Sequence, residues 1–234
     1  MPRTTLTSEQ IVNAAIELLD AEGLEGMNMR ALGKRLDSAA TAVYWHVGSK
    51  ENLIALAGDQ VWAEIALPEL TARGWRPAAA EMAVGLHAML TRHPWLMQAF
   101  GSLLLFGPGK ARHDDHSLAI YEAAGFTEVQ ADQAAATVFT YVLGNALGPA
   151  ATASLTRRLG REGRDAGELM RETMTKAAEV AVRFPRLRAR LETSAAEEYG
   201  SAPDESFEFG LHAILDGLEA RLAAGRAKAR RTAR

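Results

Sequence analysis

Within one short stretch of this 234-residue chain stand Thr41, Tyr44, Trp45 and His46, with Lys50 four residues on. They supply two hydroxyls, an indole N–H, an imidazole and an ammonium. Lys50 follows Ser49, a helix N-cap residue type, so its ammonium and the free N–H groups of a helix start together suit a phosphate. Arg30, in the first turn of a preceding short helix, has the same opportunity. Bond-breaking chemistry has no comparable set. Gly-x-Ser-x-Gly, a phosphate loop, His-Glu-x-x-His and paired Glu-x-x-His motifs are all missing from the sequence, so it reads as a non-enzyme without a cofactor.

The elements that must hold these groups are two short helices joined by a tight turn. One starts after Asn28 and carries Met29, Leu32 and Leu36; the other runs over Ala39–His46. Ala31, Leu32, Val43 and Val47 can form the small core that fixes the pair. The opposite face of the second helix is small at Ala39, Ala40 and Ala42, which lets its backbone approach a surface closely. Tyr44 and Trp45 are consecutive, so they cannot both face inward. His46 serves equally well as a structural residue at the helix junction or as a contact. A major groove, about 12 Å wide, admits one such helix, and duplex DNA is the partner this geometry implies.

Helical periodicity continues along the whole chain, with no convincing period-two run, so the fold class is all-α. Thr7-Ser8-Glu9-Gln10 is a capping box that opens the first helix, and Gly23 is placed to end it. Ser49 caps a fourth helix. Further helices are expected at 77–93, 94–106, 111–124, 127–155, 165–183 and 204–224, with a short segment near 186–198. Arg157–Arg164 reads as a charged mobile loop, and the basic tail 226–234 as disordered.

The string Val43-Tyr44-Trp45-His46-Val47 followed by Ser49-Lys50-Glu51-Asn52-Leu53 resembles the helix 3 to helix 4 signature of the tetracycline-repressor (TetR) family. The likeness runs on through His93-Pro94-Trp95-Leu96, Phe106-Gly107-Pro108, Ala123-Ala124-Gly125-Phe126, Tyr141-Val142-Leu143-Gly144 and Leu211–Leu218, which are similar to that family's effector-binding half. It implies a helix-turn-helix domain over 1–66 and a ligand-binding and dimerisation domain over 67–225. The implied function is a transcription regulator released from a palindromic operator by a small molecule. The alternative is an activator of the same fold, or an interaction module without specific DNA binding. Tyr44 and Lys50 would grip phosphates, and Arg30, Thr41, Trp45 and His46 would reach base edges or phosphates. Ala40 and Thr41 depart from the family's glutamine and proline, and Asp37 replaces a common glycine.

The resemblance also implies a homodimer built on two late helices. A small-residue stripe (Ala131, Ala134, Ala135, Val138, Val142, Ala146, Ala150) and an apolar one (Phe207, Leu211, Ile214, Leu215, Leu218, Leu222) are the expected contact faces. The effector pocket is expected among Trp95, Phe100, Leu104, Phe106, Tyr121 and Phe139, alongside Met97 and Tyr141, with His116 and Asn145 as polar contacts. Leu103-Leu104-Leu105-Phe106 stands where the family's magnesium-binding histidine would be, which points to a mostly apolar, metal-free ligand. His113-Asp114-Asp115-His116 lacks the companion ligands of a metal site.

Bulk properties bound the rest. Cysteine is absent, which excludes disulfides and thiolate metal sites. No apolar run approaches the roughly 20 residues of a membrane span, so a soluble cytoplasmic protein without a membrane partner is expected. The net charge is −3 and residues 1–60 carry more acidic than basic groups. Any attraction to DNA must therefore come from where the few cations lie, not from their number.

Overall fold

In a computed structural model that describes residues 6–70, 74–191 and 203–232, every regular element is a helix. Four make the N-terminal part: α1 (Ser8–Gly26), α2 (Met29–Arg35), α3 (Ala40–Val47) and α4 (Lys50–Trp62). The remainder are α5 (Trp75–Arg92), α6 (Trp95–Phe100), α7 (Pro108–Ala124), α8 (Glu128–Arg161), α9 (Ala166–Ala181), α10 (Pro185–Leu191) and α11 (Pro203–Thr232).

Local signals set the first four. Thr7 and Gln10 close the capping box on α1, and the backbone leaves the helix at Gly23, where φ is +71°. Asn28 caps α2 by accepting from the Ala31 N–H at 2.8 Å. Ser49 caps α4 by accepting from the Asn52 N–H at 3.0 Å. The α2–α3 turn is tight: a Cβ on Gly33 would lie 2.8 Å from the Ser38 carbonyl oxygen. Asp37 in that turn holds φ +47°, a left-handed conformation that a short polar side chain tolerates better than most. Ile11, Ala15, Leu19, Leu32, Val43 and Leu53 close the core beneath.

In the second half α5, α7 and α8 pack on one another, and α11 lies against α5 and α8. Three joints tie the halves together. The first is made by glycines: side chains on Gly107 and Gly109 would overlap Asp59 of α4, and the Lys110 N–H at the start of α7 donates to the Asp59 carboxylate at 3.0 Å. The second centres on His93, buried at the α5–α6 corner. Its Nδ1 meets Asp20 of α1 at 2.7 Å and its Nε2 meets Glu64, just past α4, at 3.1 Å. The Trp95 indole donates to the same Asp20 oxygen at 2.8 Å, and Arg92 pairs with Glu64. The third is the end of α8, where Arg161 donates to the Glu22 carbonyl at 3.0 Å and pairs with Glu25.

Several sequence expectations need correction. The helix expected over 94–106 ends at Phe100. Leu103–Phe106 run on without helix, so Leu105 turns inward while Leu104 and Phe106 turn out. Arg157–Arg161 belong to α8 and are not a loop. The α11 helix continues through most of the tail expected to be disordered, as far as Thr232. Residues 192–198 of the segment expected near 186–198 lie outside the described residues.

Candidate nucleic-acid interface and effector pocket

The α3 helix divides cleanly. Val43 and Val47 are buried, whereas Thr41, Tyr44 and Trp45 are exposed, Trp45 by 84%. His46 is half-buried, its ring set edge-on to Trp45 at 5.1 Å. Gly48 ends the helix at φ +73°, and α4 restarts at once with half-buried Lys50 in its first turn. Arg30 is exposed on α2. The six side chains named from the sequence thus come from the α2, α3 and α4 helices, with the α3 face outward as a groove-entering helix requires. Arg35 has a different task, donating to Glu17 of α1 at 2.6 Å.

The expected effector residues fare unevenly. Tyr121 and Phe139 line one region between α5, α7 and α8. Burial pushes the Tyr121 phenol well up from its ordinary pKa. Phe100 stands behind it, against Trp62. Trp95 is sealed at the Asp20–His93 joint. Leu104 and Phe106 are 98% and 80% exposed in the protomer, turned away from this region. His116 donates to the Pro68 carbonyl at 2.9 Å, and Asn145 donates to the Tyr141 carbonyl of its own helix. Tyr141 of α8 packs against α11, its hydroxyl donating to the Phe207 carbonyl.

What gathers instead is a cleft of about 210 Å³ between α7 and α8, bordered by Lys110, His113, Asp114, Ser117 and Phe139. It shares His113, Ser117, Ala135 and Phe139 with a small inner void reaching Met82 and Leu86 of α5. The Trp62 ring, at the end of α4, lies 4.9 Å from the His113 ring and stacks on Phe139. The Lys110 ammonium sits over both Trp62 and Phe139 and bonds to Asp114. Burial opposes ionisation of Asp114, but hydrogen bonds from His113 and Lys110 outweigh it and hold that carboxyl below its ordinary pKa. The Trp62 indole N–H is buried without a partner. The sequence offered little sign of Trp62 in this role, because His113, Phe139 and Lys110, which it meets here, lie about 50 to 80 positions away. Among the described residues, no cluster of three or more His, Cys, Asp or Glu side chains has a metal-holding arrangement, and no helix is long and apolar enough to cross a membrane.

The dimer stripes also need correction. Ala131, Ala134, Val138, Val142, Ala146 and Ala150 are buried within the protomer, as are Phe207, Leu211, Leu215 and Leu222. The faces left open are Leu147 with Gly144 and Gly148 on α8, and Phe209 with Gly217 on α11. Leu147 and Phe209 are exposed, and a Cβ at any of these three glycines would meet nothing within 4 Å.

Comparison with known proteins follows this division. Residues 11–57 match the family profile of bacterial regulatory proteins, tetR family. Residues 67–222 match that of the tetracyclin repressor-like C-terminal domain. An HTH-type transcriptional regulator of Saccharopolyspora erythraea is 36% identical over 140 residues, spanning 60% of this chain and 59% of its own length. The HTH-type transcriptional repressor DrrR1 of Streptomyces coeruleorubidus is 32% identical over 93% of this chain and 79% of its own. Among solved structures, ActR of Streptomyces coelicolor in complex with actinorhodin superposes with a TM-score of 0.72 at 26% identity, covering 94% of this chain and 97% of ActR.

Proposed function

This chain belongs to the TetR family of bacterial regulatory proteins, and from that premise we propose that it is a repressor that leaves a palindromic operator when a small molecule fills the α5–α7–α8 cleft. It is a DNA-binding transcriptional regulator. The observation that carries the reading is the outward face of α3, with Thr41, Tyr44 and Trp45 exposed over a core of Val43 and Val47. Tyr44 and Lys50 hold phosphates, and Arg30, Thr41, Trp45 and His46 complete the contact. The open faces of α8 and α11 meet a second copy, and a permanent homodimer interface of about 2,000 Å² or more would cover them. Two-fold symmetry then places two α3 helices in successive grooves.

The effector reading rests on Trp62 and Phe139, with Lys110, His113 and Asp114 as polar contacts. A ligand that is held better in one arrangement of α7 against α4 shifts the population toward it, and α4 carries that shift to α3. The relatives' ligands support a small organic effector here, since ActR holds actinorhodin. The test is titration of the full-length protein against the duplex upstream of its own gene. A salt-sensitive, sequence-specific shift is expected; equal retention of an unrelated duplex at every salt concentration would sink the reading.

A further inference from the structure

The amide and guanidinium forks of the N-terminal part are almost all occupied within the protein. Gln10 accepts from the Thr7 N–H, Asn13 and Gln60 bond to each other, and Asn28 holds Ala31 and Gly26. Asn52 donates to the Val47 carbonyl and Arg35 to Glu17. Among the described residues of α1 to α4, this leaves Arg30 as the one such fork without an internal partner. Asn or Gln reads adenine and Arg reads guanine through paired hydrogen bonds in the major groove, whereas thymine alone offers a methyl group there. Lys34 and Lys50 are point charges, better suited to phosphates.

The α3 surface offers the opposite chemistry. Thr41 and Trp45, one turn apart and both exposed, share a face. Ala39 and Ala42 flank them with bare methyls, which lets the backbone come close. We propose that this chain selects its operator through thymine methyl groups, read by Thr41 and Trp45, with Arg30 as the single forked donor, set on guanine. The proposal rests on the DNA-binding reading above. It narrows the substrate to half-sites whose α3 positions are chosen by apolar fit rather than by paired hydrogen bonds to adenine.

The test uses full-length protein and a pool of random-sequence duplexes. The enriched duplex is then remade with each thymine replaced in turn by deoxyuridine, which lacks only the methyl. At one or two positions per half-site, affinity should fall about fourfold, the value of one buried methyl. Thr41→Ser should weaken the thymine duplex and leave affinity for one of the deoxyuridine duplexes unchanged, with an unaltered melting curve to exclude misfolding. Arg30→Ala should relax selection at one G·C pair alone. An enriched duplex that tolerates deoxyuridine everywhere, or that loses affinity when adenine N7 is removed, overturns the methyl reading while leaving DNA binding intact. Failure to enrich any sequence overturns DNA binding itself.

Discussion

The N-terminal reading head and the effector half treat their polar and apolar groups in opposite ways. In the head nearly every fork and cap is satisfied internally, and apart from Leu56 at 41% the large apolar side chains left in water are those of the α3 face. In the effector half, Leu147 and Phe209 lie uncovered, no residue of α9 or α10 is buried in the protomer, and one buried Arg157 N–H has no acceptor, nor has the Trp62 N–H where α4 meets that half. A buried unpaired donor costs on the order of 1–3 kcal/mol. The head is therefore complete as a single chain. The other half leaves open the surfaces that the proposed second copy and effector would cover.

The sharpest way to break that contrast is Leu147→Arg, alone or with Gly217→Arg. Light scattering should show a monomer, and operator affinity should fall by about 100-fold as bivalency is lost. A variant that stays dimeric would place the interface elsewhere. Next in size is Gly109→Ala, whose added methyl overlaps the Asp59 backbone. It should cost about 1–3 kcal/mol in denaturant unfolding. Tyr44→Ala and Lys50→Ala should each weaken every duplex about tenfold and lessen the salt dependence for Lys50, with unchanged thermal midpoints because both side chains lie outside the core.

The His93 joint gives a smaller effect that depends on pH. Burial alone would lower the His93 pKa, but its hydrogen bonds and charge contacts with Asp20 and Glu64 outweigh that and raise it. Both ring nitrogens meet carboxylates, so both can donate only when the ring is protonated. Arg92 and the Trp95 N–H face the same two carboxylates and remain there when the ring is neutral. A raised folded-state pKa means that the stabilisation is fully present below the unfolded value of about 6.5 and is lost as pH rises through the folded one. Thermal midpoints should therefore decline above neutrality, and His93→Gln should flatten that decline. Smallest of all, Asp37→Gly should add about 0.5 kcal/mol by relieving the left-handed turn.

The same contrast explains what the sequence made legible. Thr7–Gln10, Asn28 and Ser49 act on neighbours three residues away, so the head could be laid out helix by helix. Asp37 stood out as a departure, and its positive φ gives the physical cost. In the effector half, the alanine stripe on α8 correctly signalled close helix approach, but the partners are α5 and α7 of the same chain rather than a second copy. Leu104 and Phe106 looked like cavity lining until the helix ended at Phe100 and the chain ran on with Leu105 inward and its two neighbours out. Arg157–Arg161 read as a loop because the groups that hold its last residue, Arg161, lie in α1, more than 130 residues away. Periodicity within one helix carries no record of such contacts.

That last joint bears on engineering. The α8 helix spans 34 residues, roughly 50 Å at the rise of an α-helix, and its far end clasps the carbonyl and carboxylate at the close of α1. A chimaera that grafts another reading head onto this sensor, cut at the α4 junction, would keep the covalent hinge and lose the Glu22–Glu25 handhold. Matching that acidic patch is thus a design requirement for transplanted specificity, as important as the splice point itself.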